Sequence, residues 1–171
     1  ILGIESSCDE TAASVVKNGD IVLSNIIASQ DELIVKYGGV VPEIASRAHL
    51  ERILPIIEES LNEAEVTLED IDAIAVGNRP GLIGSLMVGV SAAKALAWSL
   101  DIPLISIDHV VAHLWAPQLS KQTIAYPALG VVASGGHTSL LLLKNPTSAE
   151  CLGKTIDDAA GEAFDKASSI L

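Results

Sequence analysis

The sequence predicts an α/β fold in which a mixed sheet is covered by helices and the folding unit is duplicated. Three observations carry this prediction. Two β-rich runs are joined by Asn18-Gly19-Asp20, later strands alternate with helices, and a segment beginning near residue 128 repeats the first hairpin. Alternating strands and helices require crossover connections, which produce a partly parallel, helix-covered sheet.

The first elements are three short strands, at residues 1–7, 12–17 and 21–28. An Asn-Gly turn between two such runs is typical of an antiparallel hairpin. A long helix is then predicted at 42–64, where apolar residues recur at helical spacing. A buried strand at 71–76, an Ala- and Gly-rich helix at 82–100 and a strand at 104–107 complete the series.

The duplication is visible when the chain is compared with itself at a constant offset of 127 positions. The matches are Leu2-Gly3 with Leu129-Gly130, Ser7 with Ser134, Thr11 with Thr138, and Lys17-Asn18 with Lys144-Asn145. Chance similarity between two ordinary hairpins is the alternative explanation. A true repeat makes 1–125 a first lobe and 126–171 the start of a second lobe, most of which would lie beyond residue 171.

Composition argues against several classes of protein. The net charge of −12 argues against a large basic surface for nucleic acid, so a bound RNA would need a further segment or a partner to hold it. The longest apolar stretches, such as 82–90, contain Gly and Ser and are too short to predict a transmembrane helix. Cys8 and Cys151 are too few for a disulfide framework, and the start has no signal-peptide pattern, so we expect a cytoplasmic location.

Two strand-turn-strand tips carry residues suited to ligand binding, at 6–11 and at 134–138. The first is acidic, with Asp9 and Glu10, which suits a cation or a water molecule. In the second, Gly135-Gly136 removes side-chain obstruction, so the backbone can approach a ligand closely. Either tip alone is most often only a turn; facing each other across a duplicated fold, they would form a nucleotide cleft.

His109 and His113 directly follow the strand at 104–107. Residues four apart on a helix share a face, so both imidazoles could bind one metal ion such as zinc or iron, with a third ligand from elsewhere. The alternative is two helix-terminal histidines that only form hydrogen bonds. No Glu follows the first His, so the zinc-protease pattern is absent.

Weaker candidates have simple structural explanations. Arg79 precedes the helix at 82–100, whose free N–H groups could hold an anion. His49 falls on the polar side of the predicted 42–64 helix and is expected to be exposed. The last residues, 159–171, follow a helical pattern. Carboxylates around the start of this helix could merely complement its dipole; they are Asp157, Asp158, Glu162 and Asp165.

Taken together, these motifs resemble one family, the tRNA N6-adenosine threonylcarbamoyltransferases of the bacterial or organellar type, formerly called glycoproteases. The resemblance covers nearly the whole chain. Its segments are 4–11, 37–47, 80–82, 109–113, 134–138 and 156–166.

The resemblance implies an actin-like ATPase (ribonuclease H-like) fold and transfer of the threonylcarbamoyl group from threonylcarbamoyl-AMP to N6 of adenosine 37 in tRNAs that read ANN codons. It implies that His109 and His113 bind a divalent metal, Fe²⁺ or Zn²⁺, and that Asp9 and Glu10 line the reaction site. It further implies an adenylate site, occupied by the substrate or by ATP or ADP, at Val132, Ala133, Ser134, Gly135, Gly136 and Asp165.

The implied partners are tRNA, a homologous scaffold subunit and a small ATPase. The family's third metal ligand, an aspartate, lies beyond residue 171, so this chain alone is expected to bind metal poorly and to have little activity. Arg79 stands where the family usually has Gly, and Ile34 where bacterial members often have His.

Besides the transferase, the sequence is compatible with three other kinds of protein: a non-catalytic scaffold paralogue, a metallopeptidase and a small-molecule kinase on the same fold. The His109/His113 pair argues against the scaffold, whose relatives lack it, and the missing general-base Glu argues against the peptidase. The kinase stays open because a fold alone does not decide function.

Overall fold

The computed structural model describes residues 1–120 and 123–170, apart from the side chain of Ser120. The chain packs as two compact units, Ile1–His109 and Val110–Leu171. The predicted lobes, 1–125 and 126–171, were defined by the sequence repeat and not by packing. Their boundary therefore stays a prediction.

The first unit is built on a five-stranded mixed sheet in the order β3-β2-β1-β4-β5. Its strands are β1 (Leu2–Glu5), β2 (Glu10–Lys17), β3 (Ile21–Ser29), β4 (Ile74–Arg79) and β5 (Leu104–Asp108). The predicted hairpin is confirmed, because β2 pairs antiparallel with β3, and Asn18 and Gly19 between them have positive φ angles of 55° and 84°. Strands β1, β4 and β5 run parallel, as the crossovers predicted.

Helices supply the crossovers: α1 (Asp31–Tyr37) and α2 (Pro42–Glu63) connect β3 to β4, and α3 (Ile83–Leu100) connects β4 to β5. A further helix, α4 (His109–Trp115), follows β5. The long predicted helices α2 and α3 are confirmed within one residue at each end. Helix α1 was not predicted: it is seven residues long and buries none of them, so it has no apolar periodicity. It ends where Gly38 adopts a left-handed conformation, with φ 69°.

The core of the first unit lies where α2 and α3 cover the sheet, around the fully buried Leu2 and Ile74. Small residues of α3, including Ala93 and Ala97, are buried in this contact. By length and composition alone, α3 is the one helix of the described chain that would suffice to cross a membrane. In this structure α3 packs against α2 and β4, and 22% of its residues are buried.

The second unit contains a three-stranded antiparallel sheet in the order β6-β7-β8, followed by a helix. The elements are β6 (Ala128–Ala133), β7 (Thr138–Asn145), β8 (Ser148–Lys154) and α5 (Ala160–Ser168). The helical pattern predicted for the last residues is confirmed as α5. Val132, Leu141 and Leu143 form the core of this unit with Leu114 of α4.

The predicted duplication is confirmed by strand register. In the first unit Leu2 pairs with Val15 and Glu5 with Ala12. The residues 127 positions later pair in the same way, Leu129 with Leu142 and Val132 with Ser139. Chance similarity between two hairpins would not reproduce each pairing, because a slip of one residue would turn every side chain to the other face.

Candidate functional site

The turn between β1 and β2, residues 6–9, is fixed to α3 through Ser6. Its buried hydroxyl donates to the carbonyl of Ser85 at 2.8 Å and accepts from the N–H of Gly89 at 3.1 Å. A Cβ on Gly89 would lie 2.4 Å from the Ser6 Oγ. Glycine at this position therefore allows the helix to approach the turn closely.

Ser7 is held by the segment that precedes α3. The N–H of Leu82 donates to the Ser7 carbonyl at 2.7 Å, and a Cβ on Gly81 would lie 2.5 Å from the same oxygen. The Leu82 N–H, one of the free N–H groups predicted to be available to an anion, is therefore used within the protein. Arg79 instead approaches Asp108, with its Nε 3.7 Å from Oδ2.

His49 is completely buried, so its expected exposure is wrong. Its Nε2 lies 3.0 Å from the carbonyl of Cys8, and its Nδ1 lies 2.8 Å from Oγ1 of Thr11. A carbonyl only accepts, so Nε2 carries the proton and donates, and the threonine hydroxyl donates to Nδ1. Helical periodicity does not reveal this burial, because both partners of His49 lie about 40 residues away in the sequence.

His109, the first predicted metal ligand, contacts Glu5 and Ser7. Its Nδ1 lies 3.2 Å from Glu5 Oε2 and 3.1 Å from Ser7 Oγ. The hydrogen bond to Glu5 raises the pKa of His109, although burial acts in the opposite direction. Burial by itself would raise the pKa of Glu5, but hydrogen bonds from His109 and Ser7 outweigh it and the pKa lies below its usual value.

The predicted catalytic carboxylates, Asp9 and Glu10, sit on this anchored turn, with Asp9 half-buried and Glu10 exposed at the start of β2. The backbone on either side of them is fixed by His49, through Cys8 and Thr11. Burial and the negative charge of Asp9 raise the pKa of the Cys8 thiol to about 11. Cys8 is therefore almost entirely a thiol near neutral pH and is poorly suited to act as a nucleophile.

His113, the second predicted metal ligand, lies with His109 on α4 at the expected helical spacing. Within residues 1–120 and 123–170, no group of three or more His, Cys, Asp or Glu side chains has metal-site geometry. The surroundings of His109 nevertheless fit a ligand of a metal such as zinc or iron. Metal-binding histidines commonly donate their second ring N–H to a carboxylate, as His109 does to Glu5.

The predicted glycine-rich tip of the second unit is a tight turn closed by Ser134. Its N–H donates to the carbonyl of His137 at 2.7 Å, and its Oγ accepts from the His137 N–H at 3.0 Å. Gly135 and Gly136 project from this turn, and a Cβ built on either would meet nothing within 4 Å. Both glycines are exposed, so this side of the turn is accessible to a ligand.

Helix α5 begins against this tip. The N–H of Ala160 donates to Oγ1 of Thr138 at 2.8 Å, and the N–H of Gly161 donates to the carbonyl of Ser134 at 3.0 Å. A Cβ on Gly161 would lie 2.9 Å from the backbone of Gly135. Asp165, another predicted substrate residue, is four positions after Gly161 and so shares the helix face directed at the tip.

Two predicted substrate residues, Val132 and Ala133, are the last residues of β6. The Val132 side chain is buried with Leu141 and Leu143, whereas Ala133 is exposed. The structure thus brings Ser134, Gly135 and Gly136 together with the start of α5, and it uses the Val132 side chain for packing.

Solved structures show the same architecture at low sequence identity. YeaZ from Pseudomonas aeruginosa superposes with a TM-score of 0.58 and 20% identity, over 90% of this chain and 65% of its own. The ethanolamine utilization protein EutJ from Carboxydothermus hydrogenoformans gives a TM-score of 0.52 and 14% identity, over 99% and 57%. These similarities concern the fold alone, and with the register repeat they confirm the actin-like ATPase fold.

Sequence relatives are far more similar. Curated proteins called tRNA N6-adenosine threonylcarbamoyltransferase are 55% identical in Protochlamydia amoebophila, over 100% of this chain, and 60% identical in Symbiobacterium thermophilum, over 97%. The chain spans about half the length of these relatives, 50% and 49% respectively. The profile described as "TsaD: tRNA N6-adenosine threonylcarbamoyltransferase" matches residues 21–171. The chain belongs to the TsaD family of tRNA N6-adenosine threonylcarbamoyltransferases.

Proposed function

We propose that the full-length protein transfers the threonylcarbamoyl group from threonylcarbamoyl-AMP to N6 of adenosine 37 in tRNAs reading ANN codons. Membership of the family supports this proposal. The observation that carries it to particular residues is the anchored turn of the first unit, which holds Asp9 and Glu10 on fixed backbone beside residues bonded to His109.

In this reaction the N6 amine attacks the carbamoyl carbon and the bond from that carbon to the phosphate oxygen breaks, releasing AMP. The nitrogen must lose one proton as the new bond forms. Asp9 or Glu10 accepts that proton, because carboxylates on a rigid turn are placed for general base catalysis. His49 and Ser6 keep the turn in place during this step.

His109 and His113 would hold the divalent metal, Fe²⁺ or Zn²⁺, with a third ligand outside residues 1–171. When bound, the metal supplies Lewis-acid polarisation of the carbamoyl or phosphate oxygens. Glu5 and Ser7 orient the His109 ring by accepting from its Nδ1–H.

The second unit would hold the adenylate, or ATP or ADP in its place. The exposed Gly135 and Gly136 carry no side chain that would obstruct a ligand, and Asp165 lies on the helix face that begins at this tip. The other members of this proposed site are Val132, through its backbone, Ala133 and Ser134.

The proposed partners are tRNA, a homologous scaffold subunit and a small ATPase, in the cytoplasm or an organellar matrix. Exposed apolar side chains support docking of the scaffold on α3. Ile83 is 80% exposed, Met87 62% and Trp98 89%, and their spacing places all three on one helix face. The net charge of −12 is consistent with a partner that provides basic surface for tRNA.

The test is a transfer assay with the full-length protein, its partner subunits, threonylcarbamoyl-AMP and tRNA, with the modified nucleoside quantified by mass spectrometry. We expect His109→Ala to lower kcat by at least roughly 100-fold and Asp9→Asn by about 100- to 10,000-fold, the usual contribution of a general base. Glu63→Gln, an exposed change at the end of α2, is the control. An active His109→Ala variant would refute the metal role.

A further inference from the structure

We propose that Glu5 is a positioning residue that fixes the ring orientation and the tautomer of His109 so that Nε2 is presented for metal binding. This inference rests on the proposed function, because it assumes that His109 is a metal ligand. From the sequence, Glu5 was predicted only as part of the first strand and of the 4–11 motif.

The contacts at Nδ1 determine the tautomer. Glu5 Oε2 lies 3.2 Å from Nδ1 and Ser7 Oγ lies 3.1 Å from it. An ionised carboxylate can only accept, so Nδ1 must carry a proton. In a neutral imidazole the lone pair is then on Nε2, which is the nitrogen able to bind a metal.

The Glu5 side chain is itself held in place by contacts other than the one to His109. A side chain that touched His109 only incidentally would not have them. Its Oε1 accepts from the backbone N–H of Ser7 at 2.5 Å, while Oε2 faces His109. Strand β1 pairs in parallel with β4, Ile4 opposite Val76, so the Glu5 side chain lies over Gly77. A Cβ on Gly77 would be 2.5 Å from Oε2. Glycine at 77 therefore provides the space that the carboxylate occupies.

A purely structural ion pair is the competing explanation, and the two differ in what they predict. An ion pair between Glu5 and His109 would contribute to folding stability and leave metal affinity unchanged. If Glu5 has a positioning role, removing it lowers the affinity of the folded protein for metal. It also changes which nitrogen of the His109 ring carries the proton. Carboxylates that orient metal-binding histidines usually contribute about 10- to 100-fold in affinity.

The experiment measures Zn²⁺ affinity of the full-length protein by competition with a chromophoric chelator. We expect Glu5→Gln to weaken Zn²⁺ binding about 10- to 100-fold. Gly77→Ala is a second variant that keeps every polar group; its methyl displaces the end of a flexible side chain, so the fold is kept while the carboxylate moves. Glu63→Gln removes the same charge at an exposed position and should bind Zn²⁺ like the parent.

The second measurement is the ¹⁵N chemical shifts of the His109 ring in the metal-free protein. At a pH high enough for the imidazole to be neutral, the parent should show a protonated Nδ1 and an unprotonated Nε2, and Glu5→Gln should shift part of the population toward the other tautomer. Loss of stability alone would not produce this change in a folded variant.

The outcomes separate the two proposals. If His109→Ala loses Zn²⁺ while Glu5→Gln and Gly77→Ala bind it like the parent with unaltered ring nitrogens, Glu5 has no positioning role and the proposed function stands. If His109→Ala binds Zn²⁺ like the parent, the metal assignment fails and the role of Glu5 fails with it.

Discussion

At the scale of single residues, two histidines hold the 6–9 turn at its two ends. His109 bonds to Glu5 and Ser7 at the beginning, and His49 bonds to the carbonyl of Cys8 and the hydroxyl of Thr11 at the end. The side chains between these anchors, Asp9 and Glu10, are the ones proposed to act in catalysis. The hydrogen bonds on both sides limit the movement of the backbone that carries them, and such positioning is one way in which an enzyme lowers a barrier.

Removing the His49 ring should destabilise the protein. His49→Ala leaves the buried Thr11 hydroxyl without its partner and the Cys8 carbonyl with only the longer, 3.5 Å contact from the Ser85 hydroxyl, and an unsatisfied buried group costs about 1–3 kcal/mol. Urea unfolding of the full-length protein should therefore show a loss of at least about 1 kcal/mol. His49→Gln keeps an N–H donor for the Cys8 carbonyl and should lose less; equal losses in both variants would contradict this account.

The Glu5–His109 pair should make stability depend on pH. His109 has a raised pKa, so its contribution is complete below the usual 6.5 and is lost as pH rises through the folded value above it. Glu5 has a lowered pKa, so its contribution is complete above 4.5 and is lost as pH falls through the folded value below it. Both contributions are present together between those two limits.

The measurement compares the unfolding free energy of the metal-free parent and Glu5→Gln across pH. The difference should be largest near pH 5–6 and should shrink toward pH 9. A difference that grows as pH rises would reverse the sign and show that the pair does not stabilise the charged imidazole.

At the scale of elements, close approach of backbones connects helices to the turns that carry the candidate site. Gly89 lets α3 contact Ser6, and Gly161 lets the start of α5 contact Gly135. In each case the glycine is needed because a Cβ would overlap the neighbouring segment. The glycine-rich tip is therefore positioned by a helix that begins about 25 residues later.

Gly161→Ala should disturb the glycine-rich tip, 134–138, although the substituted residue belongs to α5 and not to the tip. The added methyl would lie 2.9 Å from the backbone of Gly135, which cannot rotate away as a side chain can. We expect kcat/KM for threonylcarbamoyl-AMP to fall roughly 10- to 100-fold, since misplacement near 1 Å has effects of that order. Gly153→Ala in β8 is the control, because its Cβ would meet nothing within 4 Å. Similar kinetics for the two variants would argue against the contact.

At the scale of the whole molecule, the two units repeat one hairpin design with cores of different size. Thirteen buried residues cluster between the first sheet and its helices, whereas four cluster in the described part of the second unit. Local opening costs less free energy where fewer apolar side chains are buried. The second unit should therefore open more readily in this 171-residue chain.

Hydrogen exchange measures this difference directly. Amides of β1 and β4, next to Leu2 and Ile74, should exchange most slowly, and amides of β6 and β7 should exchange faster under the same conditions. Equal protection of β7 and β1 would show that the two units open together.

The candidate residues were recognisable from sequence where a motif is contiguous. Asp9 and Glu10, the His109/His113 spacing and Gly135-Gly136 are all local patterns. The supporting residues were not recognisable. Glu5 acts on a ring 104 positions away and His49 on an atom 41 positions away, and neither separation has a period that a single sequence can reveal.

The sequence by itself determined the long helices, the hairpins and the repeat, because periodicity of apolar residues and turn chemistry are local and survive in any context. Only the tertiary structure decided that His49 is buried, that Glu5 bonds to His109, and which glycines allow close approach. Those facts depend on which segments meet after folding, and the energy of a buried hydrogen bond or of a Cβ overlap belongs to a pair of distant residues.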